Sequence, residues 1–147
     1  MKINGIAHLV ISVGDLQKSF SFYQKIFEFL EFELVYHNSK GAYFVGGRTA
    51  VGIMQAEKRE PHFNQTHIGL HHFCFRAESA EDVDRFHKFL VQIEAKIIRA
   101  PEPGSWAPGY YSTLFEDPDG KRLEMNFVPG KGLLGGSSKF NPVGYEP

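Results

Sequence analysis

The chain has 147 residues, 42% of them hydrophobic and 22% charged, with a formal net charge of −1. This is the size of one ordinary domain that can bury a sizeable core, and the near-zero charge gives no electrostatic case for nucleic acid or an anionic membrane surface. One cysteine, Cys74, excludes an internal disulfide framework and fits a reducing cytoplasm, while the start Met-Lys-Ile-Asn-Gly has no apolar signal core and no apolar run approaches membrane-spanning length. Fourteen phenylalanines point to an aromatic-rich core or pocket.

Residues 5–13 alternate, with Leu9, Ile11 and Val13 on one face and His8, Val10 and Ser12 on the other. Asp15 is a good N-cap for a helix through residue 29, whose Leu16, Phe20, Tyr23, Ile26 and Phe27 form one apolar stripe. Three short strands are expected near 31–37, 42–46 and 49–55, separated by Asn38-Ser39-Lys40-Gly41 and by Gly46-Gly47. Residues 57–68 are polar, contain Pro61 and read as a linker.

The order then repeats. A strand at 69–76 leads to a helix that opens at Ser79, with Asp82 three residues on, and runs to about 94. Val83, Phe86, Leu90 and Ile93 give this helix its stripe, and strands near 96–99, 109–116 and 121–128 follow. The last two are joined by the turn Asp117-Pro118-Asp119-Gly120. The expected class is α+β: one domain over 1–147, with β-α-β-β-β modules at about 5–56 and 69–128. Its tail from 129 to 147 is rich in glycine and expected to be partly mobile.

Helices that cover one sheet face leave the other free to curve around something, and strand parity says what points there. His8 looks away from the helix by parity with Leu9 and Ile11. His72 and Cys74 oppose Phe73 and Phe75, and Arg122, Glu124 and Asn126 oppose Leu123, Met125 and Phe127. His8 and His72 stand at matching points of the two copies. Two histidines and a carboxylate on one side of the strands form a donor set for a divalent metal with open positions. A buried carboxylate needs a cation, an arginine or a proton, so the bland alternative is an ion pair of Glu124 with Arg122 or Arg76. His71 competes with His72, but its parity directs it to the helix side. Cys74 reads as a soft group near the site or as a small core residue.

These residues resemble the vicinal oxygen chelate superfamily, which includes glyoxalase I, fosfomycin-resistance thiol transferases, methylmalonyl-CoA epimerase, extradiol dioxygenases and bleomycin-binding proteins. The resemblance covers residues 5–128. It rests on His8 with Gly14-Asp15-Leu16 and Phe22-Tyr23, on His72-Phe-Cys-Phe, and on Glu116-Asp-Pro-Asp-Gly-Lys-Arg-Leu-Glu124. It implies paired modules forming a cup-shaped half-barrel with the helices outside, usually in a homodimer. It also implies one divalent ion (Fe, Zn, Ni, Mn or Co) on His8, His72 and Glu124.

The departures from that pattern narrow the chemistry. The fourth ligand of bacterial-type glyoxalase I is a glutamate on the last strand of the first module, where this chain places Gly52, or Ile53 in the alternative register. The tyrosine usual in extradiol enzymes, three residues before the Asp of Asp-Pro, is Leu114. The resemblance therefore implies a metal-dependent lyase, isomerase or thiol transferase acting on a small substrate with two neighbouring oxygens. An Fe(II) extradiol-type dioxygenase is the alternative, and a bleomycin-resistance-like binding protein ranks last. Trp106, Tyr110 and Tyr111, on the loop before the final hairpin, are expected to meet the substrate, and Arg122 to meet an anionic group on it.

Overall fold

Each helix is set between two local signals. In the computed structural model, which describes residues 1, 3, 5–58 and 63–130, the first helix α1 (Leu16–Phe29) begins where Asp15 accepts from the backbone N–H of Lys18 at 3.1 Å. The second helix α2 (Ala80–Gln92) begins where Ser79 accepts from Asp82 N–H at 3.1 Å and donates to its carboxylate at 2.8 Å. Glu81 and Asp82 in that first turn also complement the helix dipole.

Both helices stop in the same way. Phe32 N–H returns to the Phe27 carbonyl at 2.8 Å and Glu31 N–H to Glu28 at 3.2 Å; Ala95 returns to Leu90 at 2.9 Å and Glu94 to Val91 at 3.1 Å. This paired closure is the Schellman pattern, which needs a left-handed residue just past the cap. Here that residue is not glycine but Glu31 (φ 58°) in one copy and Glu94 (φ 57°) in the other. The internal repeat thus extends to a strained position that hydrophobic patterning does not reveal.

The described residues divide into two compact units, one up to Phe63 and one from Asn64 onward. The first holds β1 (His8–Val13), α1, β2 (Glu33–Asn38), β3 (Gly41–Gly46) and β4 (Thr49–Gln55), in the sheet order β1-β4-β3-β2. The second holds β5 (His72–Arg76), α2, β6 (Lys96–Pro103), β7 (Tyr111–Glu116) and β8 (Arg122–Phe127), in the order β5-β8-β7-β6. In each sheet the outer strand that opens the module runs parallel to the last one, and the other neighbours are antiparallel. The architecture is α+β, with the βαβββ unit twice. Elements fall within a few residues of the sequence reading, except that β5 starts only at His72 and β6 runs on to Pro103. Tail residues 131–147 lie outside the described residues, as do 59–62 of the linker. Among the described residues no helix is long and apolar enough to cross a membrane.

The cores follow the parity argument. Ile11, Val13, Phe44, Val51 and Ile53 are buried with Tyr23, Ile26 and Phe27 of α1. In the second unit Phe115, Leu123 and Met125 are buried with Val83, Phe86 and Leu90 of α2, and Phe86 meets Phe115 edge-on at 5.5 Å. His8, Val10 and Ser12 stay exposed on the opposite face.

Phe115→Ala should cost about 3–5 kcal/mol, because a fully buried ring leaves a cavity that the sheet cannot collapse. Glu94→Gly should keep stability or raise it by up to about 1 kcal/mol by relieving the left-handed backbone. Chemical denaturation of both variants checks the pair, and a loss of stability in Glu94→Gly would contradict this account of the cap.

Candidate metal centre

Register gives the two units a common coordinate system. In the second sheet His72 pairs Arg122 and Cys74 pairs Glu124, while in the first His8 pairs Ala50 and Val10 pairs Gly52. Gly52 therefore occupies the place in the first unit that Glu124 holds in the second. A Cβ there would lie 2.9 Å from Cδ2 of Tyr43 and 3.4 Å from Cγ2 of Val10. The Tyr43 ring, 6.3 Å from the His8 ring between centroids, fills the space that a side chain at 52 would need. No carboxylate stands at this point, and packing explains the glycine.

The corresponding row of the second sheet is polar. Glu124 is 5% exposed and its neighbours across the sheet are Cys74, Leu114 and, beyond Leu114, Arg99. Arg99 enters this row because β6 bulges between Ile97 and Arg99. Ile97 pairs Phe115, so an unbroken register would set Ile98, not Arg99, opposite Leu114. Its guanidinium Nη2 donates to Ser112 Oγ at 2.6 Å and lies 3.4 Å from Glu124 Oε1. The same oxygen accepts from the Tyr110 hydroxyl at 2.8 Å. The other, Oε2, faces His72 Nε2 at 3.2 Å.

Burial pushes the Glu124 carboxyl upward, but hydrogen bonds from His72, Ser112 and Tyr110, with the field of His72, outweigh it and hold the group below its ordinary value. The Tyr110 phenol moves well upward, mainly through burial and also beside Cys74 and Glu124, so it remains a protonated donor. The alternative of an ion pair with Arg122 or Arg76 is met by a different arginine. Arg122 Nε approaches Glu116 at 3.9 Å, in the adjoining row where Lys96 also meets Glu116 at 2.7 Å. Arg99 is the cation that sequence reasoning missed.

The remaining candidates separate. Trp106 is partly buried over Ala107, Tyr110 and Val128, with the Arg99 guanidinium 5.3 Å from its ring centroid. Gly104 makes room for it, since a Cβ there would come within 2.3 Å of the indole. Tyr110, expected at the substrate, is instead 7% exposed with its hydroxyl committed to Glu124. Tyr111 points the other way and donates to Asp84 of α2 at 2.8 Å, so it leaves the substrate-facing set. Cys74 is exposed and not a core residue. His71, expected on the helix side, precedes β5, and its Nδ1 lies 2.7 Å from Nδ1 of His72. The His71 ring is held below its ordinary pKa by burial, then by His72 and Arg122. Among the unassigned histidines, His37 stacks on Phe20 at 3.8 Å.

The donor pair fits a metal. Two ligands about 2.0–2.2 Å from one divalent ion stand about 3–3.5 Å apart at right-angled to tetrahedral geometry, and His72 Nε2 and Glu124 Oε2 are 3.2 Å apart. Imidazole nitrogen with one carboxylate oxygen is a donor set that first-row divalent ions accept. Among the described residues no three of His, Cys, Asp and Glu gather at one point. His72 and Glu124 meet in the second unit, and His8 stands exposed on the first unit's sheet face turned from α1.

Residues 5–125 match the Glyoxalase/Bleomycin resistance protein/Dioxygenase superfamily. The chain belongs to that superfamily. A metallothiol transferase, FosB, from Shouchella clausii is 31% identical over 125 residues, which is 84% of this chain and 80% of that protein. The crystal structure of a candidate glyoxalase from Bacillus halodurans aligns with a TM-score of 0.75 at 28% identity, covering 85% of this chain and 96% of that one. Lactoylglutathione lyase from Agrobacterium tumefaciens shares the fold, with a TM-score of 0.68 at 21% identity over 92% of this chain and 99% of its own. The family accounts for the doubled βαβββ unit.

Removing the phenol hydroxyl in Tyr110→Phe should raise the Glu124 pKa toward its ordinary value and cost about 1.5–3 kcal/mol at neutral pH, the range for a hydrogen bond to a charged group. Because the folded-state pKa of Glu124 is depressed, its stabilisation is complete above the unfolded value of 4.5 and is lost as pH falls through the folded value. The variant should therefore show a smaller stability loss on acidification across that window. Carboxyl NMR titration with denaturation at pH 7 and pH 3 measures both effects, and an unshifted Glu124 would remove Tyr110 from its role.

Proposed function

We propose that this superfamily member is a metal-dependent enzyme in which His8, His72 and Glu124 hold one divalent ion. Its substrate is a small molecule with two neighbouring oxygens, and the reaction class favoured is thiol transfer. The observation that carries the metal reading is the 3.2 Å approach of a partly exposed His72 Nε2 to Oε2 of the buried Glu124. Support for the thiol class comes from the metallothiol transferase relative, at 31% identity. A bound ion would supply Lewis-acid stabilisation to charge developing on a chelating substrate oxygen.

The residues of the chain do the rest. Tyr110 and Arg99 engage Glu124 Oε1, so Oε2, which faces His72 Nε2, is the oxygen that would hold the ion together with that nitrogen. Gly52 is the first unit's equivalent of Glu124 and carries no donor, so a three-ligand set would keep coordination positions open for substrate. Leu114 beside Glu124 offers no phenol, which weighs against ring-cleaving oxygen chemistry. Trp106 packs against Tyr110 and Arg99, the two groups that engage Glu124 Oε1.

Elemental content of protein purified without chelator should be about one transition-metal equivalent per chain, lost in His72→Ala. Glu124→Gln should weaken metal binding at least tenfold with the fold intact. The loaded protein should consume a low-molecular-weight thiol in the presence of an oxygenated electrophile such as an epoxide. An unchanged metal content in both variants would overturn the ligand assignment. Metal binding without thiol consumption, but with isomerisation of a thiol hemiacetal, would move the reaction to the glyoxalase side.

A further inference from the structure

His72 has two ring nitrogens and both are engaged. Nε2 faces the Glu124 carboxylate at 3.2 Å, and Nδ1 faces Nδ1 of His71 at 2.7 Å. The rings meet edge-on, with centroids 5.0 Å apart and planes at 76°, which suits an in-plane nitrogen contact and not stacking. Two facing nitrogens at this distance need one proton between them: one ring donates N–H and the other accepts on its lone pair.

We infer that His71 is a positioning residue for His72, and that the hydrogen bond between them reverses direction when an ion takes the place of the His72 Nε2 proton. The inference rests on the metal reading above. Without an ion, Glu124 as a carboxylate can only accept, so the neutral form of His72 facing it is the one with its proton on Nε2. Its Nδ1 is then a lone pair, and His71 must donate from Nδ1. With an ion on Nε2, the His72 proton belongs on Nδ1, and His71 must accept there. Each ring carries one proton before and after. The shared Nδ1 proton passes from His71 to His72, the Nε2 proton of His72 goes to solvent, and His71 takes one from solvent at its own Nε2. The two rings together release no net proton.

An imidazole suits this place because it offers donor and acceptor at one atom position, and its orientation fixes that of His72. Register explains why only this copy has the device. His8, the equivalent of His72, is preceded by Ala7, which has no side-chain polar atom.

The test uses the full-length protein labelled with ¹⁵N-histidine and zinc as the probe, with long-range ¹H–¹⁵N correlation to identify the protonated nitrogen of each ring. Without zinc, His71 should be the Nδ1–H tautomer and His72 the Nε2–H tautomer. With zinc, His71 should become Nε2–H and His72 should carry its proton on Nδ1. His71→Ala should weaken zinc binding by about tenfold. His71→Asn, whose amide can either donate or accept close to the same position, should return affinity to within about threefold of the parent. A His72 signal that responds to zinc while His71 keeps its tautomer, or equal affinity in the Ala variant, would overturn the positioning role and leave the metal site standing. No response from either ring would remove both.

Discussion

A carboxylate buried in a β-sheet is the constraint around which the second unit is arranged. Glu124 sits between the core residues Leu123 and Met125 on β8, yet its own side chain lies on the opposite face and is 5% exposed. An ionised group there is tolerated only when its lone pairs are used. Tyr110 and Arg99 address one oxygen and His72 the other. Removing any of them leaves the charge short of a partner, which is why a loop, a bulged edge strand and the opening strand of the module all converge on one side chain.

The two units show how a duplicated fold divides its labour. Backbone features are copied closely: the parallel pairing of first and last strands, the N-caps, the helix-ending glutamates in left-handed conformation, and a bulge early in the edge strand. Apart from His8 and His72, which stand at equivalent register points, side chains along the open faces differ between the copies. Where the second unit has Glu124, Leu114 and Arg99, the first has Gly52 under the ring of Tyr43. The helix-facing surface is under the same packing demand in both copies. The open face carries no such demand and is therefore where the chemistry of the two copies diverges.

Much of this was readable from residue order. Alternation in His8–Val13 and in Arg122–Phe127 assigned the faces, and the burial of Ile11, Val13, Leu123 and Met125 follows it. Asp15 and Ser79 marked the helix starts for a local reason, since each side chain reaches a backbone N–H only three residues away. Parity failed for His71 and could not have found Arg99. It assumes an unbroken two-residue period, which a bulge interrupts at Arg99 and which the strand does not yet have at His71. Tyr110 and Tyr111 are adjacent rings with opposite destinations, Glu124 and Asp84, which their identity alone cannot tell apart.

Residue order was enough for the doubled βαβββ unit, for the helix-facing core residues such as Ile11, Val13, Leu123 and Met125, and for the faces on which His8, His72 and Glu124 lie, because these depend on period and on local hydrogen bonds. Only the tertiary structure decided that Arg99 and not Arg122 meets Glu124, that Tyr110 supports the carboxylate while Tyr111 joins α2, and that His71 leans on His72. Those contacts join residues through cross-strand register, bulges and loop closure. Such features arise when several strands pair at once, and no single segment encodes them.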